Sequence, residues 1–125
     1  MKILIDTDLI IDVLRNVKKA VKLLEKLIEG NELYISGITE GELFSGRDLK
    51  DKRKEKIVLT FLSKFQKVNP TNEILQLAGE FRRKYNVSFL DCIIAATAYK
   101  IEAKVLTKNL KDFQKIKEVR LYKAL

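Results

Sequence analysis

The chain contains no histidine, no tryptophan, one cysteine (Cys92) and one proline (Pro70). The absence of histidine removes the commonest general base and every His-ligated metal site. Any catalytic metal must therefore be held by oxygen ligands, which points to a hard ion, Mg²⁺ or Mn²⁺. A lone cysteine excludes an internal disulfide and fits a reducing cytoplasmic setting. There is no Pro/Gly-rich linker, no repeat and no low-complexity stretch, so one domain over residues 1–125 is expected. Long apolar runs are missing too. The opening run Ile3-Leu4-Ile5 stops at Asp6 and is too short for a signal peptide or a membrane span, so no membrane association is expected.

What is present is a core and a charge. Of 125 residues, 46% are hydrophobic, enough to place the chain among folded globular domains. The formal net charge of +8 favours polyanionic partners such as RNA, DNA or an anionic membrane. The competing reading, solvated lysines on helix faces, has equal weight on charge alone.

Periodicity divides the chain into alternating elements. Residues 2–5 read as a buried strand, and 8–15 and 17–28 as helices, the second closed by Gly30-Asn31. Residues 33–36 form a second strand, followed by helices over about 39–45 and 52–64. Residues 65–69 read as a third strand closed by Pro70, and 71–84 as a helix. A loop spans 85–88, and a helix with Ala95, Ala96 and Ala98 covers 89–101. Residues 105–107 are a fourth strand, 109–115 a helical turn, and 119–122 a fifth strand. Strands separated by helices imply a parallel sheet with helices on both faces, whose working site lies beyond the C-terminal strand ends.

That edge collects acids. Asp6 and Asp8 follow the first strand, Glu42 the second, and Asn109 and Asp112 the fourth; Asp91 follows a helix, and topology alone does not bring it there. Each has a local role open to it. Asp6 and Asp8 suit a helix N-terminus. Thr39 and Glu42 have capping-box spacing, as do Ser88 and Asp91. Local roles do not explain the joint placement. Carboxylates crowded at one edge repel one another unless a cation lies between them. A metal-binding acidic site is the preferred reading, and a carboxylate-held Mg²⁺ or Mn²⁺ suits phosphodiester hydrolysis.

The motifs that carry these acids resemble those of PIN domains. Ile5-Asp6-Thr7-Asp8 is similar to the family's opening motif. Ile38-Thr39-Glu40-Gly41-Glu42-Leu43 is similar to the second, with Glu42 as its functional acid. Phe89-Leu90-Asp91-Cys92 through Ala98 resembles the third, and Val105-Leu106-Thr107-Lys108-Asn109 through Phe113 the last. Order and intervals match over essentially the whole chain, and the nearest subgroup is the VapC-type toxins of toxin–antitoxin pairs. The resemblance implies a Rossmann-like three-layer α/β/α sandwich with a five-stranded parallel sheet. It implies Mg²⁺- or Mn²⁺-dependent endoribonuclease activity with Asp6, Glu42 and Asp91 on the metal. It also implies a homodimer, an RNA substrate and a VapB-type antitoxin that covers the site.

The chain departs from the family where a fourth acid often follows the Thr of the last motif: that position is Asn109. Asp112 is then the expected substitute, and Asn109 contributes at most an amide oxygen. Arg15, Arg47 and Lys108 are candidate RNA contacts. Thr7 and Thr107 orient ligands or water, or bond local backbone. Three other readings stay open: a housekeeping RNA-processing nuclease, a catalytically inactive RNA-binding module, and a phosphatase of the haloacid-dehalogenase type. The last lacks its expected downstream acidic pair.

Overall fold

The computed structural model describes residues 1–123. Strand β1 (Lys2–Ile5) leads into α1 (Thr7–Leu14) and α2 (Lys18–Ile28). Then come β2 (Glu32–Ser36), α3 (Gly37–Phe44), a 3-10 turn (Arg47–Lys50) and α4 (Lys52–Leu62). β3 (Gln66–Val68), α5 (Asn72–Tyr85), α6 (Phe89–Ile101), β4 (Lys104–Leu106) and α7 (Leu110–Phe113) complete the order. The sheet runs β3-β2-β1-β4 and every pairing is parallel.

β1 is interior to the sheet, and Ile3, Leu4 and Ile5 are buried. A parallel strand covered on both faces needs such an apolar run. Alternation along the strand sends neighbouring side chains to opposite faces, and the core splits accordingly. Leu4, Tyr34 and Val105 pack with α5 and α6, whereas Ile3, Ile5, Leu33, Ile35 and Leu106 pack with α1, α2 and α4. The result is the expected three-layer arrangement. In α6, Ala95 and Ala96 are fully buried against the sheet side of the first cluster. Small side chains there allow the helix axis to approach the strands.

The sheet has four strands, not five. The segment expected as a fifth strand over 119–122 contributes one parallel bridge, Leu121 to Val105. Two hydrogen bonds hold it: Val105 N–H donates to the Arg120 carbonyl and Tyr122 N–H to the Val105 carbonyl, both at 2.9 Å. The ladder does not extend backwards: Ala103 N–H, the next donor on that side, is spent on the Ala98 carbonyl at 2.9 Å, and a turn closes between Val119 N–H and the Ile116 carbonyl. Residues 124 and 125, part of the expected 1–125 domain, lie outside the described residues.

Two other local expectations change. The 3-10 turn between α3 and α4 was not anticipated. The capping box of Thr39 and Glu42 does not form, because α3 begins earlier. Ser36 is its N-cap, its hydroxyl accepting from Ile38 N–H at 3.1 Å. Thr39 is thereby moved inside the first turn.

Because Ala95 sits at 0% exposure, Ala95→Leu is expected to overpack the α6–sheet contact and cost about 1–3 kcal/mol. Urea unfolding should show a lower midpoint with an unchanged slope. An unchanged midpoint would show that α6 stands off from the sheet.

Candidate active site

The C-terminal end of β1 places Asp6, and three hydrogen bonds fix it. Its N–H donates to the Leu106 carbonyl at 2.9 Å, continuing the β1–β4 pairing. Its Oδ1 accepts from Thr7 N–H at 2.8 Å, making Asp6 the N-cap of α1. Its Oδ2 accepts from the Thr107 hydroxyl at 2.8 Å, across the turn that follows β4. The capping role is real, and it holds the buried carboxyl at the C-terminal edge of the sheet.

The Thr107 oxygen also accepts from Asn109 N–H at 2.9 Å. Asn109 in turn donates through Nδ2 to Asp91 Oδ2 at 3.2 Å and to Asp112 Oδ2 at 3.0 Å. One short turn, 107–109, thus ties together the acids of β1, α6 and α7. This contact brings Asp91 to the edge that topology alone did not assign to it. Ser88 caps α6 as its spacing predicts, accepting from Asp91 N–H at 3.3 Å. Asn109 presents its amide nitrogen, not its oxygen, to the two carboxylates.

Glu42 comes from α3 and is exposed. Its Oε1 accepts from the Thr7 hydroxyl at 2.7 Å, and Thr7 and Thr39 hydroxyls pair at 2.9 Å. The link between the α3 acid and the β1 acid therefore runs through Thr7, whose N–H holds Asp6 and whose hydroxyl holds Glu42.

Burial pushes the Asp6 carboxyl up to about 6 from its ordinary 3.8; the Thr107 and Thr7 hydrogen bonds oppose the rise, and the charges of Asp91 and Asp8 add to it. Asp91 is also raised, first by burial and then by Asp112 and Asp8, against hydrogen bonds from Ser88 and Asn109. Asp112 is lowered, chiefly by the Asn109 hydrogen bond and by Lys115. Asp8 is exposed but close enough to act on both raised groups. Among the described residues no Lys or Arg pairs with Asp6, Asp8, Glu42 or Asp91. The compensation visible here is the positive ends of α1 and α6 and neutral donors. An all-oxygen donor set of this kind would suit a hard divalent ion. Among the described residues, however, no three acidic side chains already enclose an ion-sized space. Side-chain closure would have to accompany binding.

The candidate RNA contacts separate. Arg15 caps the C-terminal end of α1 and lines a groove of about 390 Å³ with Glu42, Ile11, Leu14, Leu49 and Lys54. Arg47 is exposed at the start of the 3-10 turn. Lys108 donates to Asp12 Oδ2 at 2.7 Å, so its charge is partly neutralised. Sequence reasoning missed this pair, which spans 96 positions, and it missed the Thr7–Thr39 contact. Cys92, the lone cysteine, is fully buried. A second concavity, lined by Tyr99, Glu102, Glu118 and Arg120, lies at the other end of α6 and holds none of the site acids.

This arrangement of a parallel α/β sheet with acids gathered at its C-terminal edge has known counterparts. The profile of the PIN domain matches residues 3–119, and the chain belongs to the PIN-domain family. Over 117 residues it is 33% identical to ribonuclease VapC19 of Mycobacterium tuberculosis, covering 88% of this chain and 90% of that protein. A chain of the toxin–antitoxin complex from Klebsiella pneumoniae matches with a TM-score of 0.81 at 30% identity, over 98% of this chain and 97% of that one. A chain of the DNA-bound VapBC from Salmonella typhimurium gives 0.85 at 24% identity, over 100% and 99%, and speaks for the fold.

The raised Asp6 carboxyl makes a pH prediction. Between about pH 4 and pH 6 the folded protein keeps a proton on Asp6 that the unfolded chain has released, so stability falls as pH rises through that window. In EDTA, Asp6→Asn should be more stable than wild type at pH 7 by up to about 3 kcal/mol, less whatever the Thr107 bond loses. The advantage should vanish below about pH 4. Identical pH dependence of the two proteins in thermal unfolding would contradict the burial argument.

Proposed function

We infer that this chain is a VapC-type endoribonuclease, the toxin of a toxin–antitoxin pair, built as a single PIN domain over residues 1–125. The observation that carries the activity is the assembly of Asp6, Asp91 and the Thr7-held Glu42 at the strand ends, with no basic residue among the described residues paired to any of them. The likeness to ribonuclease VapC19 and to a toxin–antitoxin complex favours a toxin over a housekeeping nuclease. Three intact acids argue against an inactive RNA-binding module.

Asp6, Glu42 and Asp91 would hold the metal, Mg²⁺ or Mn²⁺, with Asp112 as a further acid and Asn109 as a ligand only after its amide turns over. When bound, the ion supplies a Lewis acid for the scissile phosphate and a more acidic water. The chain's own part is to fix the ligands. Thr107 and Thr7 N–H hold the Asp6 carboxylate, the Thr7 hydroxyl holds Glu42, and Asn109 keeps Asp91 and Asp112 together without a charge. Asp6 and Asp91 sit at the N-terminal ends of α1 and α6, whose dipoles favour their ionised forms.

The net charge of +8 draws the RNA backbone toward the molecule, and an ion held by the acids would offset their repulsion of the scissile phosphate. Arg15, which shares a groove with Glu42, is the better placed of the phosphate contacts; Arg47 and Lys108 are the others. The apolar floor of that groove offers an antitoxin a place to cover the site. No helix among the described residues is long and apolar enough to cross a membrane, and a cytoplasmic homodimer completes the reading.

A labelled single-stranded RNA should be cut by wild type with Mn²⁺ and not with EDTA. Asp91→Asn should lose cleavage by at least about 10²-fold, the scale of one lost electrostatic contact to the transition state, while melting cooperatively near the wild-type temperature. Cleavage that survives EDTA would contradict the metal, and loss of folding would return Asp91 to a purely structural place in α6.

A further inference from the structure

We propose that Thr39 is a positioning residue that orients the Glu42 carboxylate through Thr7. The inference rests on the reading of Glu42 as a member of the active site.

Ser36 occupies the cap of α3, so Thr39 has no capping duty. Its side chain is nevertheless fully buried, and among the described residues its one hydroxyl contact is the Thr7 hydroxyl at 2.9 Å. A buried hydroxyl needs a partner, and a Val of the same shape would fill the space without one. The direction of the contact follows from counting protons. A threonine hydroxyl carries one hydrogen. Thr7 spends its hydrogen on Glu42 Oε1 at 2.7 Å, since an ionised carboxylate only accepts. The hydrogen between the two threonines must then come from Thr39. The chain of donors runs Thr39 to Thr7 to Glu42.

Glu42 needs such an arrangement more than its partners do. Asp6 is buried and held by two donors to its carboxylate, whereas Glu42 is exposed and on a longer side chain. With the Thr39 donor in place, the Thr7 hydroxyl is locked with its hydrogen toward α3. Without it, the rotor can swing away and Glu42 loses the Thr7 hydrogen bond. Groups that orient a functional carboxylate from behind influence activity without touching the reacting atoms.

The test compares Thr39→Val with Thr39→Ser, which keeps the donor. Thr39→Val should lower kcat for RNA cleavage about 10–100-fold, with KM for RNA kept within about twofold. It should also raise the Mn²⁺ concentration that gives half-maximal thermal stabilisation. Thr39→Ser should restore both toward wild type. Should the Val protein fail to fold, Thr39→Ala carries the same comparison. Wild-type kcat and Mn²⁺ response in the Val or Ala protein would overturn the proposal. So would equal impairment of the Val and Ser proteins, which would make the effect one of packing. Failure of the underlying reading is seen separately, in the wild type. If it is not stabilised by Mn²⁺, kcat alone decides the role of Thr39; if it does not cut RNA, the Mn²⁺ midpoint does.

Discussion

Burying a carboxyl at the end of an interior strand costs free energy, and Asp6 recovers only part of it from its hydrogen bonds. The donors it has are neutral: a backbone N–H from α1 and the hydroxyl of Thr107. The same hydroxyl accepts from Asn109, which gathers Asp91 and Asp112. Thr7, the residue whose N–H caps Asp6, holds Glu42. Displacing Asp6 would therefore disturb the β4–α7 turn, the α6 acid and the α3 acid together. The fold tolerates this concentration of like charge because helix N-termini face it, and a cation would settle it.

The sheet makes the concentration possible. Parallel strands send their C-terminal ends to one edge, so residues separated by a hundred positions meet there. Asp6 and Thr107 are such a pair. The two faces of β1 anchor this edge from below, Leu4 into the α5–α6 cluster and Ile3 and Ile5 into the α1–α2–α4 cluster. Precision at the site is thus underwritten by close packing in both layers. Lysines are concentrated on α2 and α4, and Lys54 of α4 lines the same groove as Glu42, so basic charge reaches the edge of the acidic site.

Much of this was legible in the sequence. The alternation of strand and helix and a parallel sheet covered on both faces follow from periodicity, whereas the choice of Asp6, Glu42 and Asp91 rested on the resemblance to PIN-domain motifs. The misreadings have physical causes. Val119 to Tyr122 has the composition of a strand, but with Ala103 N–H spent on Ala98 and a turn closed on Ile116, only Leu121 pairs. Thr39 looked like a cap because Ser36 and Thr39 are both good caps three residues apart, and where a helix starts is decided by the preceding strand. Asn109, expected to offer an amide oxygen, donates through its amide nitrogen to two acids here, a contact that its position in the motif does not reveal. The Lys108–Asp12 pair and the Thr39–Thr7 contact join distant segments and leave no local trace.

The central claim is that burial holds the Asp6 carboxyl in a setting unfavourable to its charge, which a bound divalent cation would relieve. Carbon-13 NMR titration of that carboxyl, with and without Mg²⁺, tests it most directly. The account predicts a midpoint near 6 in the absence of divalent ions and a carboxyl that stays ionised to lower pH when Mg²⁺ is present. Titration at the ordinary 3.8 with no response to Mg²⁺ would contradict it.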